Sequence, residues 1–472
     1  MPKRIVQPRL KSYLPIFLLI FLFALIFSVI SVAKHDHFQT FAWDLSFFDE
    51  LIWKMGRGIE PRSSLGGLHV LGDHFQPILY VFAPLYWIKS DVRMLLITHA
   101  SIASINVLPI YLLALTLLKK KFLAISVSMM YLLFTGYQFA VFDGFHQSVF
   151  APFFIGWLYY FLVTKNNRGF WVAAIGLLAT KEEYALLLAA IGPVIIFYFK
   201  RVKLGIATIM VGLVSFFLMI YVLIPYFQKG PYAHFGYGEL GNTPIDVVTT
   251  TLRSPDKTLR LLLTPPIKIR TVLLTFASFS FLPLFVPLHL VPIAQQFAVR
   301  FLDTVTIHRW TNLNHYSFPL APLMSIALIF SLRDVFVKKI ELNKLAIYIL
   351  LCTLLQDLIF HGPINSLLKP SFYQTQAWEY DVQELIARVP NQQTVASQNS
   401  LLPHLSQRNR FYLLPEIGDA EYIAVDMSDG PNKYSPLTHQ KTEALINTLL
   451  ASHQYQLIWR QNKSMLLKKT LK

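Results

Sequence analysis

The sequence predicts an α-helical polytopic membrane protein with about nine to eleven transmembrane or re-entrant helices, followed by a small extracytoplasmic α/β domain. Three observations lead there. Hydrophobic residues make up 54% of the 472 residues and charged residues only 14%, where a soluble chain carries about 25% charged residues. Apolar runs recur that reach the roughly 20 residues a helix needs to cross a hydrocarbon core. The positive charge, finally, gathers in short loops between those runs. Soluble enzymes, coiled coils and disordered chains are thereby excluded. The lone Cys352 excludes an internal disulfide and a cysteine metal cluster.

The net charge of +16 is topological. Five clusters hold sixteen basic residues against two acids, Asp334 and Glu341: Lys3, Arg4, Arg9 and Lys11; Lys119–Lys121; Lys165 and Arg168; Lys200, Arg201 and Lys203; and Arg333, Lys338, Lys339 and Lys344. Basic loops mark the cytoplasmic side, so nothing here asks for a nucleic-acid partner.

The first span, Ser12 to Ala33, enters with the N-terminus inside. Ser31-Val32-Ala33 would suit a signal-peptide cleavage site, but the apolar stretch exceeds the usual h-region of roughly 7–15 residues. Residues 34–90 form a long outer loop. Spans near 94–117, 122–140 and 147–163 follow. Both ends of 169–199 are basic, yet Lys181-Glu182-Glu183 interrupts its middle. A helical hairpin with an outward tip resolves the parity and spares three charges from mid-membrane depth. A span at 204–226 leads to an outer loop at 228–268. The stretch 271–298, broken by Pro283, Pro287 and Pro292, reads as a second hairpin, and spans near 317–331 and 345–361 complete a membrane domain over 1–368. Residues 369–472 read as the soluble domain. Its helices are expected at 382–388 and 438–452, its strands at 394–397, 410–414 and 422–426, and a closing hairpin at 456–468.

Sorted by side, the ionisable residues fall almost wholly on the extracytoplasmic face: Asp44, Asp49, Glu50, Asp73 and His74; Asp143 and His146; Lys181, Glu182 and Glu183; Arg300, Asp303, His308, Arg309 and His315. Carboxylates, imidazoles and cations on one face can build an acid–base site with an anion clamp. Each also has a plainer reading. Asp44 and Asp49 could cap an interfacial helix, and Asp73-His74 could form a turn after Gly72. Lys181 and Glu182 could neutralise each other, and His315-Tyr316 could anchor at the interface. Asp143 and His146 lie one helical turn apart, but two ligands do not make a metal site. A divalent metal is therefore compatible with these residues but not indicated, and no other cofactor is. No phosphate loop, nucleophile elbow or dinucleotide fingerprint occurs.

Several motifs occur in order: Trp43-Asp44-Leu45-Ser46-Phe47-Phe48-Asp49, Gly72-Asp73-His74-Phe75-Gln76-Pro77, Phe145-His146, Lys181-Glu182-Glu183 and Pro403-His404-Leu405-Ser406-Gln407-Arg408. Together they resemble the bacterial and archaeal multi-pass family called domain of unknown function 2079, over nearly the whole chain. That family is grouped with the GT-C glycosyltransferases, polytopic enzymes that use lipid-phosphate-linked sugars and keep an essential acid in the first extracytoplasmic loop. The resemblance implies a GT-C-like fold, Asp44 as catalytic base and Asp49 as second candidate. The family pattern places an acid directly before Phe-His and a proline after it. Here those positions are Gly144 and Gln147, with Asp143 one residue earlier.

The expected function is transfer of a sugar from a polyprenyl-phosphate donor to an extracytoplasmic acceptor, in the bacterial inner membrane. Lys181 with Arg300 or Arg309 would meet the departing phosphate, while Glu182, Asp73 and His74 orient hydroxyls; Asp143, His146 and His315 complete the candidate binding residues. Expected partners are membrane lipid and the lipid-linked donor, and no particular protein. The competing expectation is a non-enzymatic transporter or lipid-binding scaffold. A transporter would need polar groups along a path to both faces and often shows repeat symmetry, neither of which the sequence offers.

Overall fold

The computed structural model describes residues 13–336, 340–428 and 434–470. The basic residues at 3–11, and Lys338 and Lys339, lie outside the described residues. Six described helices are long and apolar enough to cross a membrane: Leu14–Asp36, Val92–Leu118, Gln147–Thr164, Val202–Gln228, His315–Phe336 and Leu342–Phe360. Lys121–Leu133 with Thr135–Val141, bent by 54°, and Pro255–Leu263 with Ile267–Ser278, bent by 67°, raise the number to eight if each pair is one span.

Burial separates the helices. In His315–Phe336, 83% of the most apolar stretch is buried, against 22% in Val202–Gln228 and 28% in Leu14–Asp36. His315–Phe336 is thus the central post of the bundle. In Leu14–Asp36, Ile16, Phe23, Phe27 and Ile30 face the interior, while Leu14, Phe17, Leu18, Phe21 and Leu25 are exposed. Exposed leucine and phenylalanine at this density suit hydrocarbon, not water.

Both expected hairpins are present. Asn167–Leu178 and Glu183–Pro193 are antiparallel neighbours whose joining turn holds Lys181 and Glu182. In the second, Ile267–Ser278 and Leu290–Phe301 are joined by 3-10 turns at Leu282–Phe285 and Pro287–His289. Its open ends meet: Lys268 Nζ donates to the Phe301 carbonyl at 2.7 Å and Thr271 Oγ1 to that of Trp310 at 2.7 Å. At its tip His289 is enclosed by Tyr198 and Phe330, with ring centroids 4.5 and 4.3 Å away. Tyr198 in turn donates to Asp334 and is approached by Arg333. The tip therefore sits at the basic end of the bundle.

Residues 228–268 are more ordered than the expected loop. Thr243 and Asp246 form a capping box that starts Pro244–Arg253, and Pro255 opens Pro255–Leu263. Ile245, Val248, Leu252, Leu259 and Leu263 are exposed along these helices. A charged face opposite such residues is the composition of helices lying in the membrane interface. Pro77–Ile88, within the first loop, is likewise a short apolar helix with Val81, Trp87 and Ile88 exposed.

After Ala377–Arg388 the chain forms a five-stranded sheet from β1 (Val395–Ser397), β2 (Phe411–Leu413), β3 (Tyr422–Asp426), β4 (Tyr455–Gln461) and β5 (Ser464–Lys469). The order is β2-β1-β3-β5-β4; β1 is parallel to β2 and β3, and β5 is antiparallel to β3 and β4. Strand alternation splits the two faces. Ala396, Ile423, Val425 and Leu467 pack with Ile446 and Leu449 of His439–Ala451. Val395, Phe411, Ala424 and Leu466 instead join Leu45, Phe48, Leu51 and Ile52 of the first loop in one core.

Candidate functional site

The loops opposite the basic turns converge in one recess. Asp44 lies in a single π-turn, Ala42–Ser46, directly before helix Phe47–Gly56. Asn399 holds the start of that turn by accepting from Ala42 N at 3.0 Å. Gly144 lies against it with φ of 99°, and a Cβ there would stand 3.1 Å from the Asp44 Cβ. Both the left-handed backbone and the close approach demand glycine. Asp143, one residue earlier, brings a carboxylate to the same turn.

Around Asp44 the structure gathers Asp143, His146 and His315. His146 Nε2 is 3.6 Å from Asp44 Oδ1 and 3.7 Å from Asp143 Oδ2. Asp143 accepts from Asn314 Nδ2 at 2.9 Å and from His315 N at 2.8 Å, and pairs with His315 Nδ1 at 2.8 Å. The His146 and His315 rings stack at 3.5 Å. Lys34, which the sequence analysis missed, donates to the Phe142 carbonyl at 2.6 Å and stands near enough to act on both carboxylates. It ends an otherwise apolar span, where a lysine reads as an interfacial anchor, so only the tertiary contact reveals it.

Burial pushes Asp44 up to about 8; the Asp143 charge adds to this and Lys34 opposes it. The side chain is still 38% open to the recess. Burial, then its His315 neighbour, holds His146 well below the usual imidazole range, so its ring is neutral.

A second group lies beside the first. Glu182 Oε1 pairs with His74 Nδ1 at 2.7 Å and accepts from the Tyr232 hydroxyl at 2.8 Å, while Oε2 accepts from Phe75 N at 3.0 Å. Burial would raise the Glu182 pKa, but His74, Lys181 and Tyr232 reverse this and keep it ionised. Asp73 follows the same logic: burial is overcome by His74 and His234, and its pKa falls. His234, also missed from sequence, pairs with Asp73 Oδ1 at 2.5 Å; it lies in an irregular polar loop with no motif to mark it.

Some expected partnerships are corrected. Lys181 acts on Glu182 only through space and forms no direct ion pair with it; its nearest carboxylate is Glu183, at 3.9 Å. The Lys181 ammonium lies 5.9 Å from the centre of the Tyr316 ring. Arg309 bridges Asp303 at 3.0 Å and Glu183 at 2.5 Å, with its Nε left without an acceptor. Arg300 donates to the carbonyls of Arg309 and Thr311 at 2.8 and 2.6 Å and to Asn312 Oδ1 at 3.0 Å, with its second terminal nitrogen left without an acceptor. It shapes the loop that carries Arg309. His308 is exposed, away from these contacts.

Asp49 also stands apart from the Asp44 cluster. It is buried and accepts from Tyr86, from Ser406 Oγ at 2.6 Å and from Gln407 Nε2 at 3.3 Å. Burial raises its pKa to about 6 against the pull of those donors. Asp49 thus joins the first loop to the Pro403–Arg408 motif, which explains why the two motifs occur together.

The recess adjoins an apolar cavity of about 350 Å³ walled by Leu186, Leu213, Phe216, Phe217, Ile220, Val247, Val248 and Val299; Glu182, Glu183, Tyr232, His234 and Arg309 line its polar end.

Two comparisons bear on the fold and the family. The crystal structure of ArnT from Cupriavidus metallidurans bound to undecaprenyl phosphate superposes with a TM-score of 0.52 at 10% identity, covering 96% of this chain and 97% of that one. At that identity the likeness is one of architecture, and the architecture is the GT-C fold. A search of curated proteins finds no match. The model of a family described as predicted membrane protein (DUF2079) matches residues 34–466, nearly the whole chain, and the protein belongs to that family.

Proposed function

We propose that the protein is a membrane glycosyltransferase that moves a sugar from a polyprenyl-phosphate donor to an acceptor hydroxyl. The observation that carries this reading is the apolar cavity running into a charged recess, with Tyr232, His234 and Arg309 at the junction. A donor chain would lie among Leu213, Phe216 and Val248 with its phosphate near Arg309 and Lys181. The unused Arg309 Nε and the loosely paired Lys181 are suited to an anion whose charge grows as the glycosidic bond breaks. Arg300 supports the Arg309 loop through Nε and one terminal nitrogen, and its other terminal nitrogen, which has no acceptor, would add to the anion clamp.

Asp44 is the base. A carboxylate with its pKa near the working pH combines adequate basicity with a usable ionised fraction. It would take the acceptor proton as the acceptor oxygen bonds to the anomeric carbon and the phosphate oxygen departs. His146, neutral and 3.6 Å away, orients the carboxylate. The positive-inside rule sets the basic turns in the cytoplasm and the recess outside the plasma membrane. The transporter alternative needs a polar route through the basic end, where His289 is instead enclosed by aromatic rings.

The test is Asp44→Asn. We expect the purified variant to retain its melting temperature but to lose at least about 100-fold in transfer from cell-derived prenyl-phosphate sugars, followed by mass spectrometry of products. Undiminished transfer would remove Asp44 from the reaction.

A further inference from the structure

We propose that Asp73, His74 and His234 form a binding site for a divalent metal ion of the zinc class, at the edge of the recess. The three side chains bring one ligand atom each to within 4.8 Å of one another. Asp73 Oδ1 and His234 Nε2 are already 2.5 Å apart, and the His74 and His234 rings stack at 4.3 Å, inclined by 23°. Two imidazoles and a carboxylate are ligands of the zinc type, and three protein ligands leave a fourth position open.

The surroundings point the same way. Glu182 takes the Nδ1 side of His74 at 2.7 Å, which leaves Nε2 as the metal-binding nitrogen. Glu182 is itself held by Tyr232 and Phe75 N. A carboxylate on the far nitrogen of an imidazole, and hydrogen-bonded in turn, is the supporting shell that fixes tautomer and ring orientation in histidine metal sites. The backbone is also fixed. A Cβ on Gly72 would stand 2.8 Å from Gln228 N, and Gln228 Oε1 accepts from His69 N at 3.1 Å. This locks the Asp73-His74 turn to the end of helix Val202–Gln228, six residues before His234. Because the His234 side chain is 41% exposed, an ion can enter from solvent.

The neighbouring group of Asp143, His146 and His315 also brings its ligand atoms within 4.8 Å of one another. There, however, Asp143 accepts from an amide, a backbone N–H and the Nδ1 of His315, so an ion would displace more hydrogen bonds than at Asp73, whose Oδ1 pairs with His234. Metal binding at Asp73 does not depend on the transfer reaction being correct, and the test uses no activity.

The intact protein in detergent is stripped with a chelator and titrated with Co²⁺ as a spectroscopic stand-in, then with Zn²⁺ as competitor. One Co²⁺ per chain is expected, with visible absorption that Zn²⁺ abolishes. His234→Ala and the isosteric Asp73→Asn should each abolish stoichiometric binding. Glu182→Gln should weaken it about 10–100-fold, and His315→Ala should leave it intact. Melting temperatures report folding, and Asp73→Asn decides the matter if His234→Ala misfolds. The proposal is overturned if the unmodified chain binds no Co²⁺ stoichiometrically. Full binding by folded Asp73→Asn overturns it too, as does loss on His315→Ala with retention in His234→Ala.

Discussion

Asp44 owes its raised pKa to burial first and to Asp143 second, and this gives the reaction a pH signature. In the proposed reaction Asp44 must be ionised to act, so kcat/KM, which reports the free enzyme, should rise with pH through about 8. Asp143→Asn removes a negative charge from beside Asp44 while its amide oxygen can still accept from His315 N, at the loss of the Asn314 bond to the other oxygen. The rising limb of the rate–pH profile should therefore move to lower pH, whatever happens to the maximal rate. An unmoved limb would show that another group controls it. Residue identity also explains what the sequence left open at Gly144. Its backbone conformation and the nearness of Asp44 are tertiary facts, invisible to motif comparison.

At the scale of elements, the joint between first loop and sheet is the feature that sequence reading described least well. The strands and helices after residue 377 were legible from alternation and capping: β3 over Tyr422–Asp426 and the helix His439–Ala451 lie where the pattern put them. Their partner was not, because an exposed α/β composition does not announce that Val395 and Phe411 will share a core with Leu51. The hydrogen bond from Ser406 to Asp49 tests this joint. Ser406→Ala leaves a buried carboxylate oxygen without its donor, which should cost about 1–3 kcal/mol, read as a lowered unfolding midpoint. A change within error would mean that Tyr86 and Gln407 suffice.

For the molecule as a whole, the positions of the long helices follow from apolar length and the parity of basic turns. Both hairpins were legible because Lys181-Glu182-Glu183 and the three prolines cannot lie in a straight span at low cost. The amphipathic helices at 244–263 were not, since their apolar residues are spaced too sparsely to count as a span. Sidedness can be checked with single cysteines in a chain whose native Cys352 is replaced by alanine. A cysteine at Lys120 should react with impermeant maleimide only after the membrane is opened, and one at the exposed Gly58 should react in intact cells. The reverse pattern would place the recess in the cytoplasm and exclude an extracytoplasmic acceptor.

The shared core of the first loop and the sheet has a consequence for biogenesis. The segment around Leu45 and Leu51 emerges early in synthesis, but the strands that cover it are made more than three hundred residues later. Until they are made, the nascent protein carries an uncovered apolar patch. Ribosome stalling or truncation before residue 395 should therefore yield a product that chaperones retain and quality-control proteases remove, however well its helices have inserted.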